Sequence, residues 1–204
     1  MTLDLNSLCP GCFKTTHPSP LCPKCGIRVE ARRAAGTMPL WTRIDGDRYL
    51  VGHVLGQGGF GITYASWDQT LMQRVAIKEL FPRTSVARKT DGLTVELGTD
   101  AEVLEFEEAK KKFLEEARIL ARPSLKQHPG LITVENFFET YGTAYLVMEY
   151  LEGQTLDACV DSQKGRLPYE VVAAMMESVL EALKAVHGET LPDGSVMVHR
   201  DIKP

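Results

Sequence analysis

Val54-Leu55-Gly56-Gln57-Gly58-Gly59-Phe60-Gly61-Ile62-Thr63-Tyr64, followed by Val75-Ala76-Ile77-Lys78, decides how the rest of the chain is read. Gly56, Gly58, Gly59 and Gly61 crowd into six residues. Backbone without Cβ atoms approaches dense negative charge closely and aims its N–H groups at oxygen. The same spacing serves dinucleotide-binding folds, where it joins a strand to a helix. Here strand-like sequence lies on both sides, Tyr49 to Leu55 and Phe60 to Trp67. Taken alone, the stretch also fits a plain glycine-rich hairpin turn.

Arg74 to Leu80 reads as a third strand with Lys78 near its end. A lysine among Val, Ala and Ile is costly unless it is paired. Residues 81–101 read as irregular, with Pro82, Gly92 and Gly98. From Glu102 to about Arg122 the period is helical, and Pro123 is expected to end the helix. Phe113, Ala117 and Leu120 form its inward stripe. Glu116, three residues after Phe113, falls on that stripe, whereas Glu115 points toward Lys111 and Lys112 as a solvated charge. Glu116 is therefore the expected partner of Lys78, with a surface salt bridge as the alternative. Strands at Ile132–Glu139 and Ala144–Tyr150 follow, joined at Tyr141-Gly142-Thr143. A long helix from about Pro168 to His187 carries Val172, Met176, Val179, Leu180, Leu183 and Val186 at helical spacing. Strands followed by helices predict an α+β fold.

The final residues, His199-Arg200-Asp201-Ile202-Lys203-Pro204, supply a fourth motif. With the glycine loop, the Val-Ala-Ile-Lys strand and the helix glutamate, in that order, the chain from Tyr49 onward resembles protein kinases. Phe60-Gly61-Ile62-Thr63-Tyr64 is similar to bacterial Ser/Thr kinases. The resemblance implies a five-stranded antiparallel ATP lobe with one main helix (48–150) and the beginning of a helical catalytic lobe (151–204).

It also implies roles. Gly56, Gly58 and Gly61, with Gln57, Gly59 and Phe60 between them, would cover the ATP phosphates. Lys78 would bind the α- and β-phosphates, held by Glu116. Leu55, Thr63 and Ala76 would pack on adenine. Met148 would be the gatekeeper, and the Glu149 carbonyl and Leu151 N–H would bind the base. Asp201 would accept the substrate hydroxyl's proton and Lys203 would neutralise the transferring phosphate. His199 would pack as a structural residue, and Arg200 resembles the arginine that pairs with a phosphorylated activation loop.

Three departures stand out. Thr63 occupies a position where the family usually has valine. Residues 188–197 are longer than usual, and Asp193-Gly194 reads as a surface turn. The chain stops at Pro204, before the family's asparagine and Asp-Phe-Gly metal motif, so Mg²⁺ ligands are expected beyond residue 204. The chain reads as a truncated copy or an incomplete gene, inactive alone. Two function classes follow: a protein Ser/Thr kinase, or a catalytically incompetent kinase-like scaffold acting through its ribbon and ATP lobe.

The N-terminal head, residues 1–26, carries Cys9-Pro-Gly-Cys12 and Cys22-Pro-Lys-Cys25. Four thiolates on two tight turns suit tetrahedral Zn²⁺, and the head resembles zinc ribbons. Redox pairs and disulfides are the alternatives. Residues 27–47 read as a linker with Arg28, Arg32 and Arg33 as solvated charge. The ribbon leaves room for a protein partner, and protein substrates and ATP complete the expected partners.

The formal net charge of −4 gives no sign of a nucleic-acid or membrane-surface protein. No apolar run is long enough to span a bilayer, and Met1-Thr2-Leu3-Asp4 lacks the basic start of a signal peptide. A reducing cytoplasmic setting is expected, in line with four of the five cysteines lying in tight pairs; Cys159 reads as a buried apolar residue.

Overall fold

The structure, a computed structural model, describes residues 5–14, 20–28, 34–163, 165–191 and 194–198. They fall into two compact units. The first comprises residues up to Ala117 together with Val134–Tyr150; the second comprises Arg118–Thr133 and the residues from Leu151 onward.

The first unit is built on one antiparallel sheet. Its strands are β1 (Arg43–Ile44), β2 (Tyr49–Gln57), β3 (Gly61–Asp68), β4 (Gln73–Leu80), and, after a small hairpin of β5 (Val86–Arg88) and β6 (Val95–Leu97) and the helix α1 (Asp100–Leu120), β7 (Val134–Thr140) and β8 (Thr143–Glu149). The sheet order is β1-β2-β3-β4-β8-β7. The five strands expected from the sequence are present, and β1 adds a two-residue edge. Tight turns fix the register. At the β3–β4 turn, Asp68 accepts from the N–H groups of Thr70 and Leu71 (2.8 and 2.9 Å) and pairs with Arg48 (2.9 Å).

Directly opposed residues share a face of a sheet. One face therefore carries the rows Thr63–Lys78–Leu146 and Ala65–Ala76–Met148. The other carries Tyr64–Ile77–Val147 and Ile62–Glu79–Tyr145, all buried. Helix α1 starts with a capping box. The Thr99 N–H donates to the Glu102 carboxylate (2.7 Å) and the Glu102 N–H donates to the Thr99 hydroxyl (3.3 Å). The helix buries Phe106, Phe113, Leu114 and Ala117. It ends at Leu120, slightly before the expected Arg122. Pro123 opens α2 (Pro123–Lys126) rather than only closing α1, because its missing N–H costs nothing in a first turn.

Two expectations need correction. Residues 81–101 are not simply irregular: β5 and β6 pair there in register from Val86–Leu97 to Arg88–Val95. Nor are residues 34–47 a solvated linker. Thr37, Met38 and Ile44 are buried, and the Met38 N–H donates to the Tyr64 hydroxyl (3.1 Å). The Trp41 N–H donates to the Val51 carbonyl of β2 (2.7 Å), and the Val51 N–H donates to the Thr42 carbonyl (2.8 Å). This strap belongs to the sheet, because β2 and the Glu79 face offer hydrogen-bonding groups that would otherwise be left bare. Residues 29–33, with Arg32 and Arg33, lie outside the described residues.

The second unit holds α2, α3 (Leu156–Ser162) and α4 (Tyr169–His187). Thr155 caps α3 by accepting from the Ala158 N–H (3.2 Å). Cys159, on α3, is half-buried rather than buried. Glu189 accepts from Ser124 (2.6 Å) and pairs with Arg122 (2.5 Å), tying the start of α2 to the end of α4. Val172, Met176, Val179 and Leu180 of α4 are exposed, and Ala182 and Val186 are buried. A Thr190–Val196 bridge and the left-handed Gly194 (φ 84°) lie in the longer segment before the last motif; Asp193, the other residue of the expected turn, lies outside the described residues.

Candidate functional site

The glycine loop closes between β2 and β3, where the Gly58 N–H donates to the Gly61 carbonyl (2.9 Å). Its glycines divide by physical cause. A Cβ at Gly61 would lie 2.5 Å from the Glu79 carbonyl, so Gly61 is demanded by close packing of β3 on β4. Gly56, Gly58 and Gly59 are different. None has a left-handed φ, and a Cβ on any of them would meet nothing within 4 Å among the described residues. Neither backbone conformation nor packing requires glycine there. Phe60 at the tip is 80% exposed, and Leu55 is exposed at the entry to the loop.

Lys78 stands on the face of Thr63 and Leu146, beside Ala76 and Met148 in the next row. Lys78 and Met148 are both half-buried. The Lys78 ammonium lies 5.8 Å from the centre of the Phe113 ring on α1, a weak cation–π contact. No ion pair involves Lys78 among the described residues. Glu116 is exposed and Glu115 half-buried, so the expected inward placement of Glu116 does not hold in this structure. The stripe of α1 is centred on Phe106, Phe113 and Ala117, and Glu116 sits about 60° round from Phe113 at the stripe's margin. Glu149 is half-buried at the end of β8. Leu151 is exposed and belongs to the second unit. Asp201 and Lys203, with His199 and Arg200, lie outside the described residues.

Behind Lys78, on the opposite face, is a buried ionic network that the sequence reading missed. Glu79 is fully buried and accepts from Tyr64 (2.9 Å), Tyr145 (3.0 Å) and Arg88 (2.6 Å). Arg88 also donates to the carbonyls of Gly36 (2.8 Å) and Leu93 (2.6 Å). Burial, and then the Glu79 charge, push both phenols far above their usual range, so they stay donors. Burial works against the Arg88 charge, but the Glu79 hydrogen bond more than offsets it and raises its pKa. The available signal was alternation: Glu79 follows Val75 and Ile77 at period two, an acid on an apolar face.

The head folds as two matched knuckles. The Cys9 N–H donates to the Lys14 carbonyl (3.1 Å) and the Phe13 N–H to the Cys9 carbonyl (2.9 Å). Cys22 repeats both bonds with Ile27 (2.8 Å) and Gly26 (2.9 Å). The sulfurs of Cys9, Cys12, Cys22 and Cys25 all lie within 4.8 Å of one another, with Cys9–Cys25 at 3.5 Å and Cys12–Cys22 at 3.8 Å. A tetrahedral Zn²⁺ with sulfur at ~2.3 Å needs separations of about 3.8 Å, so the four thiols fit that ion. Burial pushes the Cys9 and Cys25 thiols up. Burial also opposes ionisation of Cys22, but the N–H groups of Lys24 and Cys25 donate to its sulfur and bring it below the usual range. Such a cluster becomes a set of thiolates only with a cation to hold it.

Equivalent positions of the two knuckles are left-handed: Gly26 (φ 71°) in the second and Phe13 (φ 55°) in the first. Glycine takes this conformation freely, whereas Phe pays about 1–2 kcal/mol. The Phe13 ring stacks on Trp67 (5.8 Å) and meets Trp41 edge-on (6.0 Å).

A family model for the protein kinase domain matches residues 49–204. The chain is similar to the serine/threonine-protein kinase PksC of Streptomyces coelicolor, at 30% identity over 168 residues, covering 79% of this chain and 25% of the relative. It is similar to the serine/threonine-protein kinase PknA of Mycobacterium tuberculosis, at 31% identity over 162 residues, covering 77% of this chain and 31% of the relative. Among solved structures it resembles the apo form of PpkA-294, with a TM-score of 0.70 and 29% identity, over 82% of this chain and 56% of that one. The chain thus spans between a quarter and a third of the length of these two curated relatives. The kinase-like α+β fold agrees with these matches, and the chain belongs to the protein kinase family.

Proposed function

We propose that this chain is the nucleotide-binding part of an ATP-dependent kinase that phosphorylates Ser and Thr hydroxyls of proteins. The observation that carries the reading is the set of three glycines, Gly56, Gly58 and Gly59, whose identity the chain's own packing does not explain. A ligand approaching the backbone closely explains it, and phosphate is the ligand such N–H groups suit.

Gln57, Gly59 and Phe60 complete the loop over the phosphates, with Gly61 setting its base. Leu55, Thr63, Ala76 and Met148 form the adenine wall, with the Glu149 carbonyl and Leu151 N–H on the base edge. Lys78 holds the α- and β-phosphates, and movement of α1 brings Glu116 to it in the nucleotide-bound state. Asp201 orients the substrate hydroxyl and takes its proton. The hydroxyl oxygen then forms a bond to the γ-phosphorus as the bond to the bridging oxygen breaks and ADP leaves. Lys203 faces the transferring phosphoryl group. When bound with ATP, Mg²⁺ neutralises charge on the phosphate oxygens; no residue of this chain is assigned to hold it. Zn²⁺ is a structural ion on Cys9, Cys12, Cys22 and Cys25. The paired Cys-x-x-Cys spacing, which suits a metal rather than disulfides, and the use of ATP favour a cytoplasmic setting; no helix among the described residues is long and apolar enough to cross a membrane.

The test is transfer of radiolabelled phosphate from ATP to a generic protein substrate, using the protein expressed from its gene. Phosphoserine and phosphothreonine are expected, with at least a hundredfold loss in Lys78→Met and in Asp201→Ala, on the scale of removing one electrostatic stabiliser. Undiminished transfer in both variants would refute the assignment.

A further inference from the structure

We infer that the metal knuckle is an integral brace of the glycine-loop strand, and that Phe13 and Pro10 couple the state of the four-cysteine centre to nucleotide affinity. The inference rests on the Zn²⁺ and ATP readings above and concerns what joins them. The N–H of His53, three residues before Gly56 on β2, donates to the Pro10 carbonyl (3.0 Å), inside the Cys9–Cys12 turn itself. The contact is close enough to dictate sequence on the sheet side. A Cβ at Gly52 would collide with the Pro10 carbonyl and come within 2.7 Å of the Phe13 ring and 2.8 Å of the Ala65 carbonyl. Pro10 therefore continues the edge of β2 where β1 stops, and the edge is covered toward the loop.

Phe13 is the second attachment. At its position the sister knuckle uses glycine, the residue without strain, yet this knuckle uses a strained aromatic. Metal binding gives no reason for that choice. The ring's place between Trp41 and Trp67 does. Trp41 is itself left-handed (φ 66°), and its N–H bond to the Val51 carbonyl ties it to β2. Trp67 faces Leu50 of β2 across the sheet. The contact thus holds both strands that flank the glycine loop. Without metal the two knuckles have almost no core of their own beyond the cysteines, so the Pro10 and Phe13 anchors go with the ion. Phe13 and Pro10 are positioning residues: they touch neither ion nor nucleotide.

Trp41 and Trp67 are the only tryptophans in the chain, so tryptophan emission, excited at wavelengths that tyrosine does not absorb, reports on the two rings that hold Phe13. The experiment uses the full chain and measures tryptophan emission, bound metal with a chromogenic zinc indicator, and Kd for a fluorescent ATP analogue. Phe13→Gly removes the strain and the wedge while leaving the four cysteines. It is expected to keep about one metal per chain, as wild type does. Its emission should shift to the red, and its Kd for the analogue should rise by about tenfold, a change of about 1.4 kcal/mol. Phe13→Tyr restores both. Chelating the metal from wild type gives both changes at least as fully, and chelating it from Phe13→Gly adds only the smaller part that the Pro10 anchor still held. Wild-type protein that binds metal and nucleotide, but whose emission and affinity are unmoved by Phe13→Gly or by chelation, would overturn the coupling alone. Wild-type protein without metal would overturn the Zn²⁺ assignment and the coupling with it; wild-type protein that does not bind the analogue would overturn the ATP reading and the coupling with it.

Discussion

Replacing Arg88 by Met tests the network behind Lys78 most sharply. Arg88 makes three charge-assisted bonds in a site where its side chain is 5% exposed and its partner Glu79 is 0% exposed. Met fills much of the same volume but leaves an acid buried with two tyrosine donors and no counter-charge, and two carbonyls short of a donor. Removing one partner of a buried pair costs roughly 3–5 kcal/mol. Because Tyr64 and Tyr145 still hold Glu79, the lower end applies, about 3 kcal/mol. For a chain of this size that lowers the unfolding midpoint by about 6–12 °C. The assay is thermal and urea unfolding followed by far-UV circular dichroism. Adding Glu79→Gln to Arg88→Met should recover at least half of the loss, since a neutral amide keeps an acceptor for the tyrosines and needs no cation. A loss under ~1 kcal/mol in the single variant, or no recovery in the double, would refute the argument that charge burial dominates.

Asp68 gives a pH signature. Burial opposes its charge, but Arg48 and the N–H groups of Leu71 and Thr70 outweigh this and hold its pKa below the usual range. A depressed folded pKa contributes stability above the unfolded value of about 3.9, and that contribution is lost as pH falls through the folded value. Asp68→Asn should therefore be about 1–3 kcal/mol less stable than wild type at pH 7, with the gap closing below about pH 4 in urea titrations. Thr99→Ala should cost about 1 kcal/mol by removing the cap of α1, measurable in the same titrations. Replacing Cys9 and Cys12 together by Ser should abolish the expected one Zn²⁺ per chain in metal analysis.

Much of the fold was legible because its signals are local. Strand-like runs bounded by glycine-bearing turns marked β2, β3, β4, β7 and β8, and a helical period from Glu102 marked α1. What stayed hidden depends on distant residues meeting. Thr37 and Met38 look like tether until Tyr64 and Tyr145 are seen to need a cover. Arg88 sits in a stretch with no strong periodicity, and only Glu79, nine residues earlier, gives it a purpose. The candidate site shows the same division. The loop glycines and Lys78 could be read from type and spacing, but spacing could not separate Gly61, required by the Glu79 carbonyl, from Gly56, Gly58 and Gly59, which nothing in the described chain requires. Glu116 shows the limit of helical phase: at the margin of the stripe, its pairing depends on where α1 sits and not on its sequence position alone.

The central claim is that these open glycines exist for a phosphate ligand, and Gly58→Ala tests it directly. Alanine fits there without steric cost and without left-handed strain, so the unfolding midpoint should stay level or rise slightly. Titration with ATP by calorimetry should nevertheless show affinity falling about tenfold or more, because the new methyl group stands where phosphate approaches the backbone. A Gly58→Ala protein that binds ATP as tightly as wild type would contradict the account.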